Sequence, residues 1–145
     1  DLLAEMKIPS YCKTSGKTGL HICVPMGARY NYEIVKEFAR YVAVMVHEAF
    51  PKWTSIERAP ARRPDKLYLD FLQNRRAQTI ASPYSVRPTS EASVSVPLDW
   101  SEVKASLDIR SHTIKTVSKR VDRKGDLWKP VLGPGIDFKK ILRDT

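Results

Sequence analysis

A serine, a lysine and a histidine surround two glycines in the segment KTSGKTGLH, residues 13–21. Gly16-Lys17-Thr18 matches the end of a P-loop, a motif that also requires a glycine five residues earlier and a helix directly afterwards. Tyr11 stands where that glycine is required, and GLHICVPM (residues 19–26) has the composition of a strand. The P-loop interpretation is therefore rejected.

The remaining spacing, S-G-x-x-G-L-H, is still suited to binding a phosphate. Two glycines allow a backbone to approach a ligand closely. Ser15 offers a hydroxyl donor, Lys17 a mobile cation, and His21 a hydrogen-bond donor near neutral pH. The alternative is an ordinary hairpin with a structural histidine, which is the commoner role of a lone strand histidine.

Asp70 follows an apolar strand pattern in KLYLD, residues 66–70. A carboxylate at such a strand end can hold Mg²⁺ or Mn²⁺ against nucleotide phosphates, or it can cap the next turn. One carboxylate cannot hold two cations, and Glu33, Glu57 and Asp65 lack a matching strand-end position. The sequence also offers no common zinc spacing and no GxSxG turn for serine hydrolysis. No complete catalytic set can be assembled.

The elements that must position these residues are predicted from hydrophobic periodicity and turn signals. PSYCKT and GLHICVPM form two strands around the loop of residues 15–19. A helix runs from an N-cap at Asn31 to Phe50, with an apolar stripe of Ile34, Val35, Phe38, Tyr41, Val42, Met45 and Ala49. Further strands are predicted at TSIER, KLYLDFL and QTIAS. Residues 82–97 are predicted to form a loop that contains several prolines, and Asp99 is predicted to cap the start of another helix. Short helical pieces are expected at residues 113–119 and 137–143.

Strands and helices without strict βαβ alternation indicate one α+β domain over residues 1–145. We expect the strands that carry His21 and Asp70 to lie in one sheet, with the long helix packed across it. The two cysteines, Cys12 and Cys23, fit free thiols in a reducing cytoplasm, or a cross-strand pair. No apolar run is long enough for a membrane span, and no export signal is visible.

The net charge of +9 and the pI of about 9.7 favour a polyanionic partner, although a solvated basic surface is the alternative. The charge is clustered, which favours nucleic acid or nucleotide phosphate. The clusters are Arg58, Arg62, Arg63 and Lys66, then Arg75 and Arg76, then Lys115, Lys119, Arg120, Arg123 and Lys124.

Three segments of the chain together resemble the primase-polymerase domain of bacterial DNA ligase D. They are KTSGKTGLHICVPM, the segment from Arg62 to Val103, and HTIKTVSKRVDRKGDLWKPVLGPGIDF. This is an archaeo-eukaryotic-primase type of nucleotidyltransferase that works in non-homologous end joining. The resemblance runs along nearly the whole chain. It implies a primase-type palm with a mainly antiparallel sheet packed by helices.

The resemblance also implies roles for single residues. Ser15 and His21 match the family's SxxxxxH element, which contacts the nucleotide triphosphate, and Asp70 matches its third metal-binding aspartate. Arg63 and Arg87 match basic positions that serve nucleotide or DNA phosphates. The family usually has D-Y-L-R-N where this chain has DFLQN, so one phosphate contact is missing and Arg75 or Arg76 is expected to compensate.

The family's DxD pair and its 5′-phosphate-binding part would fall before the first residue, so the chain is expected to be the C-terminal part of the domain. The implied parent protein adds nucleotides, expected to be ribonucleotides, to DNA ends and uses Mn²⁺ or Mg²⁺ to do so. This chain alone is not expected to hold the cation stably. Implied partners are DNA ends, a nucleoside triphosphate, the parent's ligase domain and a Ku-type end-binding protein, with no membrane. The implied location is the bacterial cytoplasm, at the nucleoid. The chain alone is expected to be inactive, and the alternative is a non-catalytic nucleotide- or DNA-binding module.

Overall fold

The computed structural model describes residues 2–141, apart from the side chains of residues 139 and 140. The helices are α1 (Leu2–Glu5), α2 (Tyr32–Ala49), α3 (Val117–Lys124) and α4 (Phe138–Ile141). The strands are β1 (Tyr11–Thr14), β2 (Leu20–Cys23), β3 (Thr54–Ser55), β4 (Leu67–Tyr68) and β5 (Pro97–Leu98). Short 3-10 turns lie at Pro60–Arg62, Leu72–Asn74, Trp100–Glu102, Ile109–Ser111 and Lys129–Leu132. None of the helices in this described part is long and apolar enough to cross a bilayer.

The chain divides into two compact units. The first, which we call the hairpin unit, combines the residues up to Gly27 with those from Ala81 onwards. The second, the helix unit, is Ala28–Ile80. Each unit is described by itself.

An antiparallel sheet in the order β2-β1-β5 forms the centre of the hairpin unit. The predicted pair of strands around the loop of residues 15–19 is confirmed, and so is the mixed helix-and-sheet fold class. The register pairs Lys13 with His21 and Cys12 with Ile22. Cys12 and Cys23 are both free thiols, so the predicted alternative of a cross-strand disulfide does not hold.

The most buried segment of this unit is Ser93–Leu98, which begins within the stretch of residues 82–97 that the sequence predicted as a loop. Val96 and Ser95 have no exposed surface. The backbone of this segment pairs on both sides, with Thr14 N donating to Val96 O at 2.9 Å and Tyr84 N donating to Ser95 O at 2.7 Å. The loop prediction was wrong here because nearby prolines and the polar Ser93 and Ser95 do not match the continuous apolar run expected of an extended segment buried on both faces.

A bidentate ion pair anchors α3. Arg120, 8% exposed, donates from both terminal nitrogens to the Glu102 carboxylate at 2.7 Å, and also to Pro97 O at 2.9 Å. Lys124 donates to Asp99 at 3.0 Å. The predicted start at Asp99 is confirmed as a capping box, although the turn that follows it is 3-10. Two cations of the third basic cluster, Arg120 and Lys124, therefore have carboxylate partners within the fold.

The helix unit is built around α2. The predicted N-cap is confirmed, because Asn31 Oδ1 accepts a hydrogen bond from Ile34 N at 2.9 Å. The helix packs against β3 and the turn Leu72–Asn74. The predicted stripe was wrong in part, because Ile34 and Tyr41 are about half exposed while the buried residue is Ala43.

The expected single sheet through His21 and Asp70 was wrong. His21 lies in β2 of the three-stranded sheet, whereas Asp70 follows β4, which pairs in parallel with β3 in a separate two-stranded sheet. Asp70 Oδ1 accepts a hydrogen bond from Leu72 N at 3.0 Å, which forms a tight turn just after β4. The strand β4 therefore has only two paired residues. Residues 78–82, predicted as a strand, form none.

Candidate functional site

The loop between β1 and β2 is closed by the side chain of Ser15. Its Oγ accepts hydrogen bonds from Lys17 N and Gly19 N, both at 3.1 Å, while Ser15 N donates to Gly19 O at 2.8 Å. A hydroxyl has two acceptor positions and one hydrogen. Both acceptor positions are therefore in use, and the hydrogen remains for a ligand. Ser15 shapes the loop and can still donate to a phosphate oxygen.

Gly16 allows the loop to pack against the core. It has a positive φ of 73°, and a Cβ there would lie 2.4 Å from Arg87 Cγ and 3.1 Å from Ser95 N. Its carbonyl accepts a hydrogen bond from Ser93 Oγ. Gly19, in contrast, has open space where its Cβ would lie. Only the first glycine is required by the folded loop.

Lys13 is the residue that the sequence analysis missed. It is 1% exposed, and its Nζ donates to Ala81 O and Ser95 Oγ, each at 2.7 Å, and lies 2.9 Å from His21 Nδ1. Burial is the largest influence and lowers the pKa of Lys13; Cys23 raises it, the neighbouring Arg87 charge lowers it, and Cys12 raises it, in decreasing order of size. The predicted hairpin could have indicated Lys13, because pairing β1 with β2 places Lys13 directly opposite His21.

Arg87 adds a second cation to this group. Its Nε is buried and has no hydrogen-bond partner within the described residues. Neither Lys13 nor Arg87 forms an ion pair in that part of the chain. Uncompensated positive charge beside a glycine loop is the environment of an anion. Ser15, His21 and Arg87, all predicted from the sequence, therefore belong to one electropositive site, which we call the Lys13 site.

Lys17 lies at the exposed tip of the same loop. It lines a cleft of about 310 Å³ together with Thr18, Thr89, Ser90, Glu91, Ser93 and Arg110. The cleft is polar and contains both signs of charge. Lys17 is therefore an exposed cation at the mouth of the loop and is not part of the buried group.

The helix unit holds the other predicted residues. Asp70 is exposed, and burial together with the charge and hydrogen bond of Asp70 raises the pKa of the Tyr68 hydroxyl. The Arg63 guanidinium lies 4.6 Å from the centre of the Tyr68 ring, and Arg63 Nε is buried without a partner among the described residues. Tyr68 thus brings Asp70 and Arg63 into one cluster, on a separate unit from the Lys13 site.

Arg75 and Arg76 differ in their surroundings. Arg75 Nε donates to Leu72 O at 3.2 Å, so this side chain partly caps its own turn. Arg76 is exposed. Of the two, Arg76 is the one whose whole guanidinium is accessible to a phosphate.

A complete cation site is not formed by the described residues. Within residues 2–141 no three His, Cys, Asp or Glu side chains are grouped so that they could hold a metal ion. Asp70 provides one carboxylate, and one of its oxygens already accepts from Leu72 N. These residues alone do not fit a two-cation centre.

Comparison with known proteins identifies the fold and the family. The model of the family described as LigD, primase-polymerase domain, matches residues 1–128. The chain belongs to this family. The predicted resemblance is thereby confirmed over the segments that carry Ser15, His21 and Asp70.

Individual LigD proteins give the same result. The chain is 38% identical over 125 residues to the bifunctional non-homologous end joining protein LigD of Bacillus subtilis, covering 86% of the chain and 20% of that protein. It is 32% identical over 130 residues to the multifunctional non-homologous end joining protein LigD of Mycolicibacterium smegmatis, covering 90% of the chain and 17% of that protein. The chain therefore spans about a fifth of the length of these relatives.

A solved LigD structure shares the fold. The polymerase domain from Mycobacterium tuberculosis ligase D, solved in complex with DNA, matches with a TM-score of 0.85 and 27% identity. The match covers 94% of this chain and 47% of that one. The antiparallel sheet with its surrounding helices is thus the fold of part of a LigD polymerase domain.

Proposed function

We propose that this chain binds the triphosphate of an incoming nucleotide as part of a LigD-type DNA repair polymerase. The parent enzyme is a nucleotidyltransferase that adds nucleotides, with a preference for ribonucleotides, to DNA ends in non-homologous end joining. The observation that carries the proposal is the Lys13 site, where a glycine loop, a histidine and two cations that form no ion pair among the described residues belong to one unit. Family membership supplies the reaction class.

Within this proposal the residues have separate tasks. Ser15 donates its hydroxyl hydrogen to a phosphate oxygen, and His21 donates from its ring. Arg87 and the mobile Lys17 contribute positive charge. Each group is of a type that binds phosphate through charge-assisted hydrogen bonds. Together they orient the triphosphate, which is the main contribution a protein makes to phosphoryl transfer.

In the helix unit, Asp70 is proposed as one carboxylate ligand of a divalent cation, Mn²⁺ or Mg²⁺, in the complete parent site. Hard oxygen ligands suit either ion. Arg63 is proposed as a phosphate contact, since its Nε is buried and unpartnered among the described residues. Because Asp70 alone does not fit such a site, no catalytic step is assigned to this chain through a cation.

DNA ends are the proposed nucleic-acid partner. The mycobacterial polymerase domain that shares this fold was solved in complex with DNA, and the net charge of +9 suits a polyanion. Arg76 is the stronger candidate contact and Arg75 the weaker. The parent's ligase domain and a Ku-type end-binding protein are further proposed partners.

A non-catalytic nucleotide- or DNA-binding module is the second candidate. It is favoured by one observation, the lack of a three-residue metal-binding group within residues 2–141. Extension of a primed DNA end by the complete parent protein, in the presence of Mn²⁺, distinguishes the two. The 145-residue chain is expected to bind but not to extend, and measurable extension would contradict the incomplete cation site.

The proposed function is tested by titrating ATP into the chain by calorimetry. His21→Ala should weaken binding roughly ten- to a hundredfold, the effect of losing a charge-assisted hydrogen bond. Lys115→Ala is the matched control, because Lys115 is an exposed cation of the same unit. Its small effect should vanish at high salt, where screening shortens to ~3 Å. Equal losses for both variants, both erased by salt, would refute a specific triphosphate site.

A further inference from the structure

Lys13 is unusual because it is a buried lysine that forms no ion pair with a carboxylate among the described residues. Its Nζ instead has three hydrogen-bonding neighbours, the Ala81 carbonyl, the Ser95 hydroxyl and the His21 ring, at 2.7, 2.7 and 2.9 Å. An ammonium has three hydrogens and no acceptor position. The number and distances of these neighbours match the three hydrogens.

Two of the three contacts have a fixed direction. The Ala81 carbonyl oxygen can only accept. The Ser95 hydroxyl donates its own hydrogen to Thr14 O at 2.7 Å, so it must accept from Lys13. Two hydrogens of Lys13 are therefore committed. The direction of the remaining contact, to His21 Nδ1, depends on whether Lys13 carries a third hydrogen.

The charge of Lys13 and the tautomer of His21 are thus one variable. If Lys13 is an ammonium, its third hydrogen points at Nδ1, which must accept, and the neutral ring carries its hydrogen on Nε2. If Lys13 is a neutral amine, its lone pair faces His21, and the ring must carry its hydrogen on Nδ1. An imidazolium would present a hydrogen to an ammonium and is disfavoured by both geometry and charge.

We propose that Lys13 is an ammonium that fixes His21 as the Nε2–H tautomer and thereby determines which ring nitrogen donates to a phosphate. The short distances to three acceptors support the charged form, since hydrogen bonds from an ionised donor are short and strong. Burial opposes it by lowering the pKa of Lys13. Three satisfied hydrogen bonds offset that cost, and a bound polyphosphate would stabilise the ammonium further.

This role rests on the proposed triphosphate binding and deepens it. All three hydrogens of Lys13 are committed within the protein, so Lys13 does not itself contact the nucleotide. It is a positioning residue that acts through His21. The ring is held neutral with a donor at Nε2, and the Lys13 charge adds a long-range attraction for phosphate.

His47 provides a reference with the opposite expected tautomer within the same chain. Its Nδ1 lies 3.0 Å from Thr54 Oγ1, and that hydroxyl donates its hydrogen to Phe50 O at 2.8 Å. Thr54 must therefore accept from His47, so Nδ1 of His47 carries the hydrogen. The same accounting of hydrogens assigns opposite tautomers to His21 and His47.

The test is long-range ¹H–¹⁵N correlation NMR on the nucleotide-free chain labelled at histidine, in mildly alkaline buffer where imidazole is neutral. The patterns of the two tautomers differ directly. We expect the Nε2–H pattern for His21 and the Nδ1–H pattern for His47. An Nδ1–H pattern for His21 would overturn the proposal.

Lys13→Met tests the cause, because methionine keeps the unbranched length and removes the donor. We expect His21 to lose its single tautomer and His47 to keep its own; an unchanged His21 would overturn the proposal. Should the variant not fold, the wild-type Lys13 Nζ signal decides. A slowly exchanging nitrogen coupled to three hydrogens supports the ammonium, and a nitrogen with two overturns it.

ATP titrations separate this inference from the proposed function. Lys13→Met and His21→Ala should each weaken ATP binding about tenfold or more, and the free-energy loss of the double variant should be clearly smaller than the sum of the two single losses. Additive losses would overturn a role through His21. Absence of ATP binding by the wild type would instead refute the proposed function, while the NMR result would still decide the tautomer.

Discussion

The ion pair between Glu102 and Arg120 should make the stability of the hairpin unit depend on pH. The two guanidinium nitrogens of Arg120 donate to the two carboxylate oxygens at 2.7 Å, and Asp99 N donates at 2.9 Å. These contacts, with Arg120 the largest cause, lower the pKa of Glu102 from 4.5 to about 2. The perturbation is Glu102→Gln, which keeps the shape of the side chain and removes its charge.

The magnitude follows from that pKa. At about 1.4 kcal/mol for each pKa unit, the lowered pKa of Glu102 corresponds to a stabilisation of roughly 3 kcal/mol. Partial exposure of the carboxylate reduces this to about 2–3 kcal/mol. Because the pKa of Glu102 is lower in the folded than in the unfolded chain, the unfolded chain takes up the proton first. The contribution is therefore complete above about pH 5 and is lost as the pH falls towards about 2.

The assay is chemical unfolding at a series of pH values. Glu102→Gln should lose about 2–3 kcal/mol at neutral pH and should lack this component of the acid-induced decrease. Asp122→Asn, on the exposed side of α3, removes a charge from the same helix and should leave the decrease intact. If both variants retain the wild-type pH profile, the ion pair does not stabilise this unit in the way proposed.

Three further outcomes are expected. Gly16→Ala should destabilise the hairpin unit by more than 1 kcal/mol, because of its positive φ and its contact with Arg87, while Gly19→Ala should be tolerated; equal denaturation midpoints would contradict this. Asp70→Asn should leave the circular dichroism spectrum unchanged and abolish nucleotide addition by the complete parent protein; retained addition would exclude Asp70 as a ligand. Burial raises the pKa of Cys12 to about 11, so iodoacetamide at neutral pH should label it only after unfolding, and rapid labelling of the native chain would refute its burial.

Local signals were sufficient for several elements. The N-cap at Asn31, the hairpin around residues 15–19 and the start at Asp99 depend on residues only a few positions apart, so their sequence patterns predict them directly. The family could also be predicted, because the quoted segments extend along nearly the whole chain. The same reading misassigned Ser93–Leu98, since alternation beside prolines does not reveal pairing on both sides.

The sequence by itself determined the types of group available for phosphate binding and the loop that presents Ser15 and His21. Only the tertiary structure decided that Lys13 is buried among them. Its partners Ala81 and Ser95 lie 68 and 82 residues away along the chain, and no local pattern links such positions. A lysine in a short strand is equally compatible with solvent exposure. In the folded chain, packing of the Ser93–Leu98 segment against β1 buries Lys13 away from solvent. Three protein groups then take the place of water around its Nζ, which is why Lys13 belongs to the site.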